Sequence, residues 1–136
     1  MFKAFIENRG DSKSYATTRH STFVLDTEGK GANPIDTLLA SLCGCMGHYV
    51  RDYLVDQQIA CHGFSIEAEA GVTPDKANLA DIKIRIDLQD VRLDDQQATG
   101  LLKFIEMCKV HKILKENPGV TISLSGRQVP ECRGCC

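Results

Sequence analysis

Phe64, Ile66, Ala68, Ala70 and Val72 alternate with Ser65, Glu67, Glu69 and Gly71, a period of two that predicts a strand with one buried and one wet face. Ile82, Ile84, Ile86 and Leu88 alternate in the same way with Lys83, Arg85, Asp87 and Gln89. Between them, Thr73 to Asn78 is a cluster of turn residues, so the two strands are expected to form an antiparallel hairpin. Val120, Ile122 and Leu124 predict a last strand, announced by Asn117-Pro118-Gly119. Weaker strand signals at Lys3 to Asn8, Tyr15 to Thr18 and Thr22 to Asp26, separated by polar turns, predict a small meander at the start of the chain.

Two stretches carry helical periodicity. The first opens at Asn33-Pro34, a capping residue followed by proline at the first helical position, with Asp36 at the positive end of the dipole. It is expected to run to about Gln58, with Leu38, Leu39, Leu42, Cys45, Met46, Tyr49 and Tyr53 on one arc and Arg51 opposite. Gly44 and Gly47 beside Cys45 lower helix propensity and permit close approach of other backbone. A second helix is expected from Asp94-Asp95 to about Glu116, with Leu101, Leu102, Ile105 and Cys108 facing inward. The element order β-β-β-α-β-β-α-β is an α+β fold. A first helix of about 26 residues spans roughly 39 Å, too long to be covered by its own sheet, and a homodimer is the natural way to bury the remainder.

Length and charge narrow the function classes. With 136 residues, 43% hydrophobic and 25% charged, the chain has the size and composition of one globular domain, expected over residues 1–130 with a short tail at 131–136. Sixteen Lys and Arg against eighteen Asp and Glu leave a net charge of −2, which argues against a nucleic-acid partner. No apolar run approaches the ~20 residues that cross a bilayer, and Met1 to Asn8 lacks a secretory core. A cytoplasmic, membrane-free protein is expected.

Seven cysteines are too few and too clustered for a secreted disulfide framework, and their odd number points to thiol or metal chemistry. Cys45 and Cys108 lie on the inner faces of separate helices, so packing could bring their sulfurs together; taken alone, each reads more simply as a small buried hydrophobe. His111, one turn after Cys108, is placed to share a thiol proton. Cys43 is about 200° around the helix from Cys45 and makes a poor metal clamp with it. His48 follows Cys45 by three residues and reads equally as a solvated histidine. Cys61-His62 has no evident partner. In the tail, Cys132-x-x-Cys135, followed by Cys136, has redox or half-zinc-site spacing, but the favoured reading is a frayed, oxidisable terminus.

The run Asn33-Pro34-Ile35-Asp36-Thr37-Leu38-Leu39-Ala40-Ser41-Leu42-Cys43-Gly44-Cys45 resembles the P-x-[DE]-x-L-L-x-A-L-x-G-C stretch of the OsmC/Ohr family, the osmotically induced and organic-hydroperoxide-resistance proteins. Cys108-Lys109-Val110-His111 resembles that family's second motif, C-P-V-H, with lysine in place of proline. The order of elements agrees from about residue 2 to 127, and the tail after Val129 has no counterpart. The resemblance implies an intertwined homodimer whose sheets wrap two central helices. It also implies a peroxidase in which Cys45 attacks an organic hydroperoxide and Cys108 resolves the sulfenic acid as a disulfide, which a dithiol reductant reopens. No cofactor or metal belongs to that reaction. Peroxidase members orient the thiolate with an arginine from an early strand and a glutamate directly after the proline. Here that second position is Ile35 and the acid is Asp36, a pattern closer to a less characterised branch; Arg19 is the first choice for the arginine and Arg9 the second. The alternatives are a redox-sensing or metal-binding module on the same fold, resting on the surplus thiols, and a dimeric scaffold that holds an apolar ligand between its helices.

Overall fold

The computed structural model describes residues 1–125, so the expectation for Cys132, Cys135 and Cys136 lies outside the described residues. The chain runs β1 (Ala4–Asn8), β2 (Lys13–Thr18), β3 (Thr22–Asp26), α1 (Pro34–Asp56), β4 (Ser65–Val72), β5 (Leu79–Asp87), α2 (Asp95–Ile105) and α3 (Lys109–Glu116). Strands β1, β2 and β3 form an antiparallel meander, and β4 and β5 form a separate antiparallel hairpin.

Helix α1 starts where its signals place it. The Asn33 side chain accepts a hydrogen bond from the Ile35 amide at 2.8 Å and Pro34 opens the first turn. Leu42, Met46, Val50 and Leu54, spaced by four, form the most buried ridge. Onto it pack the inner faces of Ile66, Ile84, Ile86 and Leu88 from the hairpin, and Leu101, Ile105 and Cys108 from the C-terminal helices. Glu67 and Arg85, opposite each other on the wet face of the hairpin, approach to 3.5 Å. The alternation fails at the hairpin's far end. A register shift between Glu69 and Gly71, and a left-handed Asp81, turn Val72 and Ile82 out to solvent.

The single helix expected from Asp94 to Glu116 is two helices. Asp94 caps α2 in a reciprocal capping box with Gln97, as Asp94-Asp95 suggested. The chain then leaves the helix at Glu106 to Cys108, and Cys108, in an extended conformation, becomes the N-cap residue of α3. The reason lies in the phase of the apolar residues. In one straight helix, Val110 and Leu114 would point roughly 180° from Leu101, Ile105 and Cys108. The break re-aims them, and both pack on the same core.

The last expected strand is not formed within the chain. Val120, Ile122 and Leu124 are 82%, 73% and 77% exposed and pair with no strand among the described residues. The N-terminal meander is similarly uncovered. It makes no substantial packing contact with any helix, and every residue of β1 is exposed, Phe5 and Ile6 included.

Candidate functional site

Cys45 and Cys108, remote in sequence, meet where α3 crosses α1. Cys45 is half-buried against the core cluster that contains Cys108, and Cys108 is fully buried. Burial pushes the Cys108 thiol up from its ordinary pKa, and the neighbouring Cys45 adds to this, as hydrogen-bond partner and as charge. The His111 and Val110 amides in the first turn of α3 pull the other way, without closing a capping hydrogen bond. One partly accessible thiol thus lies beside a sealed one, and the sealed one sits at the positive end of a helix.

The local packing explains how α1 is held at this site. Gly47 faces the Phe64 and Ile66 side chains of the β4 segment; a Cβ there would meet them at 3.6 and 3.7 Å, ordinary contact distances, so the packing does not require glycine. Gly44, likewise expected to permit close approach, faces open space in the single chain. Further along α1, Tyr53 donates a hydrogen bond to the Gln97 carbonyl at 2.9 Å. Its ring occupies the space above Gly100, where a Cβ would lie 2.6 Å from Oη. Tyr49 and Tyr53 both contact Phe104. These rings tie α2 to α1 and thereby set where the chain turns into Cys108.

The charged residues expected around Cys45 do not gather there within one chain. Arg19 lies in the turn between β2 and β3, where its guanidinium donates to the Met1 carbonyl and sits 5.9 Å from the Phe2 ring centroid. Arg9 pairs with Glu7 at 2.7 Å and stacks over Tyr15 at 4.1 Å. Asp36 is exposed in the first turn of α1. Nine residues separate it from Cys45, which is about 13 Å along the helix and roughly half a revolution around it. In the isolated chain Asp36 serves the helix dipole.

The other thiols are separate. Burial pushes the half-buried Cys43 up. Cys61 donates to the Gly63 carbonyl at 3.3 Å. His48 lies 3.3 Å from Asp52, and His62 lies 3.8 Å from Asp90. His111 has a buried Nδ1 with no hydrogen-bond partner. Among the described residues no group of three His, Cys, Asp or Glu side chains is assembled that could hold a metal ion.

One buried charge was not anticipated. Asp26 closes β3 and is 1% exposed. The Glu28 amide above all, then the Ser12 hydroxyl, the Lys30 amide and the Lys13 charge, hold its carboxyl below the usual carboxylate range against the desolvation. The loop from Asp26 to Ala32 folds over it, and a Cβ on Gly31 would lie 3.0 Å from the Asp26 Cβ. The signal was in the strand: Asp26 shares the inward parity of Val24.

The chain is thus a two-sheet α+β fold whose long helix α1 packs against the C-terminal helices, with Cys45 and Cys108 in the shared core. The sequence profile of the OsmC-like protein family matches residues 27–123, and the chain belongs to that family. Solved structures agree on the fold. An osmotic stress induced and detoxification response protein, so described, from Psychrobacter arcticus is 22% identical, with 82% of this chain and 87% of that one covered at a TM-score of 0.72. An OsmC-like protein from Mycoplasma pneumoniae is 15% identical, over 85% and 87%, at 0.71. The organic hydroperoxide resistance protein OhrB of Bacillus subtilis is 17% identical, over 86% and 92%, at 0.59. No curated protein matches the chain.

Proposed function

We propose that this protein is a thiol peroxidase that reduces organic hydroperoxides. Cys45 attacks the terminal peroxide oxygen, becoming a sulfenic acid and releasing the alcohol. Cys108 displaces hydroxide from that sulfur, and a dithiol reductant returns both thiols. The observation that carries this reading is the adjacency of the half-buried Cys45 and the sealed Cys108. The names of hydroperoxide-resistance neighbours are consistent with it.

The working unit in this reading is a cytoplasmic homodimer. The uncovered β1–β3 sheet with its exposed Phe5 and Ile6, and the alternating Val120, Ile122 and Leu124, are the surfaces that a second copy would bury. The same step would bring Arg19, or Arg9, and Asp36 of one copy toward the thiols of the other. There a guanidinium would polarise the peroxide and favour the thiolate. Consumption of cumene hydroperoxide in the presence of a dithiol tests the proposal. Turnover that Cys45→Ser abolishes is expected; no consumption with any dithiol would refute it.

A further inference from the structure

Helix α1 ends in a way that helix electrostatics disfavour. Its last turn carries no basic side chain, although the carbonyl end of a helix dipole favours cations. Asp52 and Asp56 instead stand one above the other on a single stripe, where like charges repel. His48 pairs with Asp52 at 3.3 Å, but Asp56 is exposed and has no ion-pair partner among the described residues. Negative charge is thus gathered at one place without a matching cation, and that place borders a cavity.

Both carboxylates line a groove of about 630 Å³ between the end of α1 and α2, a size that suits a small organic molecule. The apolar part of its lining is the Tyr53 and Phe104 rings, with centroids 6.0 Å apart, and Met107, which is 54% exposed. This lining is pre-set, because Tyr53 is held over Gly100 by its hydrogen bond to the Gln97 carbonyl. Lys103 contributes from α2, also without an ion-pair partner among the described residues. Two carboxylates against one ammonium leave the groove net negative.

We propose that this groove binds a small amphiphilic monocation, with an ammonium head at Asp52 and Asp56 and an aryl or short alkyl body on Tyr53, Phe104 and Met107. Each part of such a ligand meets its complement. The head supplies the cation that the end of α1 lacks, and aromatic rings beside it add attraction. The body takes apolar surface of Met107 out of water. Lys103 sets the polarity, since it repels a second positive charge at the far end of a ligand. Neither thiol of the redox pair lines the groove, and neither do β1–β3 or residues 120–124, the surfaces assigned above to a second copy. The site therefore stands apart from the peroxidase reading.

The test is amide NMR of the full chain titrated with probes of nearly equal shape and different charge: phenethylammonium, phenethyl alcohol and phenylpropanoate. Phenethylammonium should give saturable shifts confined to the amides from Asp52 to Gln57 and from Gly100 to Met107. It should bind about five- to tenfold more tightly than the alcohol, and phenylpropanoate should not saturate. Asp52→Asn combined with Asp56→Asn should make the ammonium and the alcohol bind alike, while Lys103→Gln should tighten ammonium binding by about twofold. Equal affinity for ammonium and alcohol in the wild type, or shifts that map elsewhere, overturns the proposal. So does a groove whose amides respond to none of the probes, the result expected if a second copy covers it. The wild-type comparison decides alone if the variants do not fold.

Discussion

The buried Asp26 carboxylate is the clearest single-residue determinant outside the thiols. Its pKa is held below the unfolded value, which is about 3.9, so its contribution to stability is fully present above that value. That contribution is lost as pH falls through the lower folded midpoint. Asp26→Asn should therefore lower the melting temperature at neutral pH and flatten the acid limb of the stability curve, as scanning calorimetry from pH 7 to pH 2 would show. An unchanged acid limb would mean that the carboxylate is not held as described. Gly100 offers a steric counterpart. A methyl group there would press on the Tyr53 ring and break its bond to the Gln97 carbonyl, so Gly100→Ala should destabilise by about 1–3 kcal/mol in urea unfolding. If pairing that substitution with Tyr53→Phe recovered nothing, the clash would not lie at Oη.

Among the elements, α1 carries the core, and its Leu42, Met46, Val50 and Leu54 ridge was partly legible in the sequence. The expected arc includes Leu42 and Met46 but not Val50 and Leu54, which lie farther round the helix and are buried with them. Leu54→Ala should cost about 2–5 kcal/mol, since that side chain is 2% exposed and its removal leaves a cavity against the hairpin and α2. The break between α2 and α3 was missed because Glu106 to Lys109 contains no proline or glycine to announce it. The phase jump from Ile105 to Val110 carried the signal, and a continuous helix cannot bury both. Asp36 shows the converse. Its separation from Cys45 along and around α1 follows from counting residues, so family motif and helix geometry pulled apart at that position. The capping residues Asn33 and Asp94, by contrast, fixed both helix starts correctly, because an N-cap is a local interaction that needs no tertiary context.

For the whole molecule, the hairpin was readable because each strand buries one face on α1 of the same chain, while the register shift between Glu69 and Gly71 was not. The last strand was readable as a pattern yet finds no partner here, and the meander's apolar residues are equally uncovered. Both point beyond one chain. Light scattering coupled to size exclusion should give the mass of two copies, and charged substitutions at Phe5 and Ile6 should shift it toward one copy and lower peroxidase activity together. A monomeric wild type would remove the route by which Arg19 reaches a thiol. The choice between Arg19 and Arg9 was not legible for the same reason, since Arg9 ends on Glu7 of β1 and Arg19 on the Met1 carbonyl just before it.

The central claim is that two sulfurs remote in sequence share one redox site. It is tested most directly by treating the reduced protein with one equivalent of cumene hydroperoxide and mapping disulfides by peptide mass spectrometry. A Cys45–Cys108 linkage formed in stoichiometric yield, and lost on dithiol treatment, is the predicted result. Oxidation that stops at Cys45 without linkage, or a linkage formed only between other cysteines, would contradict it.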